Sequence, residues 1–249
     1  MQPCRVDNIS ELIMRAIILA GGRGTRLKGI ISEVPKPMAD ISGRPFLSLL
    51  LDYLKMQGFE EVVLAVGYMA ENIQEYFGGM YRGIRLKYSR EEKPLGTGGA
   101  ICLALQKLES GPVFIINGDT FVTLDYKKMA SMLIEAGKEI VIGVTKVPDT
   151  SRYGRVEIED GYITGFLEKG EKGEGYINAG VYLFSRELIS SYKLQEAFSF
   201  ETDILYSKPE LIKRAFKDEN YFIDIGIPED YLRAQTELIE ILHNQMNCT

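Results

Sequence analysis

Histidine is almost missing: His243, near the C-terminus, is the only one in 249 residues. Mechanisms that rely on imidazole as a general base or metal ligand therefore have little to work with. Cysteine is sparse as well. Cys4, Cys102 and Cys248 are widely separated and odd in number, which excludes a disulfide framework and offers no zinc spacing. That usage makes the cytoplasm the expected compartment. No apolar run approaches the roughly 20 residues of a membrane-spanning helix, so no membrane association is expected. A basic surplus is also absent: 29 Lys and Arg against 35 Asp and Glu leave a net charge of −6. A nucleic-acid surface needs a basic stripe, so no nucleic-acid partner is expected. Any phosphate must be held locally, by a few placed cations and backbone amides.

What is present suits a soluble globular chain, 45% hydrophobic and 26% charged, long enough for one large α/β domain or two small ones. The opening stretch MQPCRVDNISELIM carries Asp7 and Glu11 and lacks an apolar centre, so it does not read as a signal peptide. Residues 1–14 are read as an extension, with Met14 as an alternative start, and 243–249 as a tail. Strand-like runs at 15–20, 61–66, 84–88 and 113–116 alternate with helical patterns at 46–57, 70–77 and 98–108. Such alternation predicts a parallel sheet covered on both faces. Beyond about residue 150 a hairpin-like pair, 155–159 and 162–166, turns at Asp160-Gly161. Strands at 179–184 and 221–223 follow, with helices from Phe200 and from Pro228 to about Leu242. The expected fold is α/β: one Rossmann-like mixed, mainly parallel sheet flanked by helices, with a small antiparallel lid. KGEKGEG (169–175) reads as a mobile loop.

The first strand runs into LAGGRGTRLKG (19–29). A dinucleotide fingerprint would need a third glycine where Leu27 stands, and the P-loop spacing is absent. A plain connecting turn would not explain Arg23, Arg26 and Lys28. A loop whose amides wrap a polyphosphate, with Arg26 supplying charge, accounts for all of these features. Further on, Pro35-Lys36-Pro37-Met38 sets an ammonium between two prolines, which restrict the backbone at little entropic cost. A solvated loop lysine is the alternative. FIINGDTF ends a strand at Asp119, and YFIDIGIPEDY ends another at Asp224. Carboxyl ends of parallel strands face ligand clefts, although Asp119 could instead cap a helix. Glu229 and Asp230 read as ordinary first-turn helix acids.

G-G-x-G-T-R-L followed by P-K-P-M resembles the sugar-1-phosphate nucleotidyltransferases, and the resemblance runs from about Arg15 to Ala234. It implies one catalytic domain over 15–242, with 15–125 mainly nucleotide-binding and 150–227 mainly sugar-binding. The substrates would be a nucleoside triphosphate and a sugar 1-phosphate. Catalytic roles fall to Arg26, Lys36 and Asp119. The nucleotide would lie against Ala20, Gly21, Gly22, Gly24, Thr25, Arg26, Glu91, Gly96, Thr97 and Gly118. Glu91, in REEKPLGTGGA, is an acceptor-only partner suited to the two donors of a guanine edge, or else a surface charge. Gly96, Gly98 and Gly99 would let backbone approach the flat base. The sugar would meet Gly154, Glu168, Lys169, Asn178 and Gly180, and Mg²⁺ would sit on Asp119 and Asp224. The implied reaction is in-line attack of the sugar phosphate on the α-phosphorus, releasing pyrophosphate. The nucleophile is already an anion, so no general base is required. Within the family, PLGTGGA, NGDTF, RYGRV, FSFETD and YFIDIGIPEDY resemble the short heptose 1-phosphate guanylyltransferases, implying GTP. A uridylyl-, thymidylyl- or mannose-1-phosphate guanylyltransferase is the alternative enzyme. A catalytically silent sensor of sugar nucleotides is the alternative class, although the lysine and both aspartates are retained. A homo-oligomer is left open.

Overall fold

The computed structural model describes residues 13–22, 34–109, 111–133, 139–218 and 221–247. The first half is built from β1 (Met14–Leu19), β2 (Asp40–Ile41), β3 (Arg44–Pro45), α1 (Phe46–Met56), β4 (Phe59–Val66), α2 (Ala70–Phe77), β5 (Met80–Tyr81), β6 (Ile84–Arg90) and α3 (Gly96–Leu105). It continues through β7 (Pro112–Asn117), β8 (Thr120–Val122) and α4 (Tyr126–Ala130). The second half contains β9 (Glu139–Val147), β10 (Val156–Glu159), β11 (Tyr162–Phe166), β12 (Gly175–Ser185) and α5 (Arg186–Ser190). A π-helical turn (Glu201–Tyr206), β13 (Ile212–Lys217), β14 (Phe222–Asp224) and α6 (Pro228–Asn247) complete it.

Ten strands form one sheet in the order β10-β11-β13-β9-β12-β7-β1-β4-β6-β5. The run β7-β1-β4-β6 is parallel. Its inner strands β7, β1 and β4 are buried over most of their length on both faces, which is why they read as continuous apolar runs, whereas β6 (IRLKYSR) alternates and exposes Arg85 and Arg90. On β1, Ala16 and Ile18 enter the core that takes Leu50 and Leu54 of α1 and Leu238 of α6. Ile17 points the other way, into the core with Ile101 and Ala104 of α3 and Phe200. Strand β12 then runs antiparallel to both β7 and β9. The lid expected beyond 150 is the far end of this same sheet: β10 pairs with β11 and also meets β12 at Val156↔Tyr176. Two short sheets lie outside it, β2-β3 and β8-β14.

Several elements differ from the sequence expectation. β9 and β13 were not foreseen. β9 (EIVIGVTKV) is buried over most of its length and shows no alternation, whereas β13 (IKRAFK) buries only Ala215 and Phe216. Neither therefore carries a period-2 signal. The helix expected from Phe200 is a π-helical turn, with Asp203 Oδ2 accepting from the Ser199 amide at 2.8 Å. The stretch read as a mobile loop ends inside β12, where Gly175 is buried. α6 continues to Asn247, past the expected end at Leu242. No helix among the described residues is long and apolar enough to cross a membrane.

Candidate active site

The site forms where β1, β4 and β7 end. The Ala20 amide donates to Ala65 O at 2.8 Å and the Gly118 amide to Leu19 O at 3.0 Å, so the chain leaving β1 is pinned to both neighbouring strands. A cleft of about 380 Å³ opens there, with Gly21 and Gly22 on one side and Glu91, Gly96 and Thr97 on another. Asn117, Asp119 and Glu201 close it. Gly24, Thr25 and Arg26, with Arg23 and Lys28, lie outside the described residues.

At the edge of the cleft, sharing Asp119 with it, lies a charged cluster assembled from three remote segments. Lys36 begins a 3-10 turn after an extended Pro35 and before Pro37, and the Met38 amide donates to Pro35 O at 2.7 Å. The rigid turn delivers its ammonium to within 2.5 Å of Asp119 Oδ2 and 3.6 Å of Asp224 Oδ1. The two aspartates meet because β8 and β14 pair antiparallel, placing Asp224 opposite Thr120. The Ile225 amide closes this ladder on Asp119 O at 3.0 Å. Burial pushes the Asp224 carboxyl above its ordinary range, the Asp119 charge adds to this, and Lys36 opposes it. Asp224 Oδ1 also accepts from the Gly226 amide at 2.8 Å. A Cβ on Gly226 would lie 2.8 Å from that oxygen and 3.1 Å from Lys36 Nζ. The structure thus brings Lys36, Asp119 and Asp224, three residues singled out in the sequence, into one cluster.

Residues 15–241 match the nucleotidyl transferase family. The chain belongs to this family. D-glycero-α-D-manno-heptose 1-phosphate guanylyltransferase of Aneurinibacillus thermoaerophilus is 45% identical over 227 residues, 90% of this chain and 98% of that protein. The enzyme of the same name from Campylobacter jejuni is 46% identical over 219 residues, 88% of this chain and 97% of its own. The crystal structure of HddC from Yersinia pseudotuberculosis complexed with GMP-PN matches with a TM-score of 0.80 at 40% identity, covering 89% of this chain and 98% of that one.

In this nucleotidyl transferase the glycines of α3 have a packing role that the sequence did not disclose. A Cβ on Gly98 would lie 2.0 Å from Phe198 Cε2, and one on Gly99 would lie 2.6 Å from Glu196 O. Their missing side chains let α3 press against the 196–200 segment. Gly96 lies against the same segment, its φ of +70° placing a Cβ 2.4 Å from Phe198 O, and it still borders the cleft. Gly98→Ala is accordingly expected to cost about 1–3 kcal/mol through overpacking, measured as a fall in Tm of several degrees; an unchanged Tm would mean that Phe198 swings aside freely. Glu91 is partly occupied, because its Oε2 accepts from the Leu95 amide at 2.8 Å. This leaves Oε1 beside Gly21, where an added Cβ would meet it at 3.1 Å.

On the side expected to hold the sugar, Gly154 lies directly against the backbone of Leu167, where a Cβ would come within 2.7 Å of the carbonyl oxygen. The turn at 152–154 and the exposed Glu168 and Lys169 thus become neighbours. Asn178 is engaged internally: its Oδ1 accepts from the Gly180 amide and its Nδ2 donates to Tyr182 OH, both at 2.9 Å. These bonds shape a bulge in β12, where the register with β9 shifts between Asn178 and Tyr182. The bulge sets Gly180 against Asn117, whose Nδ2 would lie 2.6 Å from an added Cβ. Asp230 is a first-turn acid of α6, as expected, and it is also 5% exposed and bonded to Arg152 at 2.7 Å and Arg233 at 2.9 Å. Sequence reasoning also passed over Asn117, Glu201 and Gly226 as site residues. Asn117 and Gly226 sit inside the NGD and DIG segments that were noticed, and Glu201 sits inside FSFETD, which was quoted only for the resemblance it carries.

Proposed function

We propose that this nucleotidyl transferase is a guanylyltransferase joining D-glycero-α-D-manno-heptose 1-phosphate to GTP, with release of pyrophosphate. The observation that carries the reading is the match with the Aneurinibacillus enzyme, 45% identical across 90% of this chain and 98% of that protein. The Lys36–Asp119–Asp224 cluster at the end of the cleft supports it. Both reactants are anions, so the residues chiefly position them and neutralise charge. Lys36 steadies the α-phosphate, while the loop from Ala20 through Gly24, Thr25 and Arg26 carries the β- and γ-phosphates. Glu91, Gly96, Thr97 and Gly118 border the nucleoside. Gly154, Glu168, Lys169, Asn178 and Gly180 surround the sugar.

Asp119 and Asp224 fit Mg²⁺, which takes one or two protein carboxylates and completes its octahedron with phosphate oxygens and water. Among the described residues no group of three or more His, Cys, Asp or Glu side chains is placed to hold a metal, so substrate and water would supply the remaining ligands. When bound, the ion would neutralise the triphosphate and polarise its phosphoryl oxygens. The enzyme would work in the cytoplasm, supplying activated heptose for a surface polysaccharide or S-layer glycan.

The test is a matrix of GTP, UTP, CTP and dTTP against heptose, mannose and glucose 1-phosphates, read as pyrophosphate release. GTP with the heptose 1-phosphate is expected to give the highest kcat/KM. Preference for another triphosphate would overturn the guanylyl assignment, and preference for mannose 1-phosphate would overturn the heptose.

A further inference from the structure

Glu201 is a cleft carboxylate without a task in the scheme above. It opens the π-helical turn and faces the same space as Glu91, Gly96 and Thr97. Its Oε2 accepts from Thr97 Oγ1 at 2.7 Å and from Ser199 Oγ at 3.3 Å. The Thr97 hydroxyl also accepts from the Phe200 amide at 2.9 Å, so its single proton is committed to Glu201. A third hydroxyl, that of the buried Tyr182, accepts from Asn178 Nδ2. Burial pushes this phenol well above its ordinary range, with the Glu201 charge adding to the effect. Neutral hydroxyls from α3, the 199 loop and β12 therefore surround the carboxylate. Among the described residues it has no Lys or Arg within ion-pair distance.

A carboxylate held this way has one kind of ligand to offer a place to. It repels phosphate and accepts only N–H or O–H donors. Its neighbours in the cleft belong to the nucleoside end: the apolar Leu19, Ala65, Pro94 and Ala100 supply faces for a flat ring. Glu91, the other acidic residue there, has one oxygen committed to Leu95. A purine with several donors along its edge, or a ribose diol, needs more acceptor capacity than Glu91 retains.

We propose that Glu201 is a specificity-determining residue for the nucleoside triphosphate, accepting from N–H or O–H donors of its nucleoside part. The proposal rests on the functional reading above. Its test is steady-state kinetics of Glu201→Gln, which keeps the size and an acceptor for Thr97 but removes the charge. KM for GTP is expected to rise about tenfold or more, the loss for one charged hydrogen bond. kcat, KM for the sugar 1-phosphate and Tm should stay close to wild type. ITP, lacking the 2-amino group, and 2′-deoxy-GTP separate the two donor sources. If the base is read, Glu201→Gln levels GTP with ITP; if the ribose is read, it levels GTP with 2′-deoxy-GTP. An unchanged KM for GTP, or a shift confined to the sugar 1-phosphate, overturns the proposal. If Glu201→Gln does not fold, Glu201→Asp serves, since retracting the carboxylate must weaken the same KM. A wild type preferring another triphosphate overturns the guanine assignment but not this one, which is then scored by the KM shift on the preferred triphosphate.

Discussion

Lys36→Ala is expected to lower kcat by at least about a hundredfold, the usual loss when one preorganised charge is removed from a reacting centre. The ammonium is held by the Pro35–Pro37 turn, with 13% of its side chain exposed. Little ordering is therefore left to be done when phosphate arrives. Removing it takes away the cation that Asp119 and Asp224 share, so the like-charged pair faces the triphosphate unshielded. Lys36→Arg should not restore activity, because a planar guanidinium cannot occupy the place of a compact point charge. Pyrophosphate release at saturating substrates measures the effect, with a thermal melt to show that the fold is retained. Turnover near wild type in either variant would remove Lys36 from the mechanism.

Asp119→Asn is expected to be comparably damaging, again about a hundredfold or more in kcat. The substitution is nearly isosteric, and the bond that closes the β8-β14 ladder uses the main-chain oxygen of Asp119, which accepts from the Ile225 amide at 3.0 Å. The fold should therefore survive while the charge is lost. A second readout separates metal binding from chemistry: Mn²⁺ bound with GTP, followed by electron paramagnetic resonance, should bind more weakly to the variant. Wild-type Mn²⁺ affinity together with wild-type turnover would rule out the metal role of this carboxylate.

The parallel half of the sheet was legible because β1, β4 and β7 are short apolar runs bounded by turn residues and β6 alternates between buried and exposed positions. α1 and α2 emerged close to their observed limits because their buried residues recur at helical spacing, as in Ala70, Ile73 and Phe77, and glycines follow their ends. β13 was not legible: its pairing with β9 depends on a parallel register from Ile212↔Glu139 to Lys217↔Val144, and its own residues show no face. In the site, the glycines of PLGTGGA carry a packing role that their local spacing did not reveal. Gly98 answers to the ring of Phe198, a contact between positions remote in sequence that no local spacing encodes. Asp230 is a first-turn acid as read, but its ion pairs were not legible. A first-turn acid has a sufficient local explanation in the helix dipole, and only the fold reveals Arg152 beside it.

The sequence alone pointed to the chemical class through the resemblance that G-G-x-G-T-R-L and P-K-P-M carry. A glycine loop after a strand, a lysine between prolines and the aspartates of NGD and DIG are local patterns whose charge follows from the residues themselves. The tertiary structure decided that Lys36, Asp119 and Asp224 form one cluster, that Glu91 has half of its carboxylate engaged, and that Glu201 faces the same cleft. Those outcomes depend on strand pairing and helix packing between distant segments. Such contacts are selected by the summed burial and hydrogen bonding of the whole sheet, which no single stretch of sequence contains.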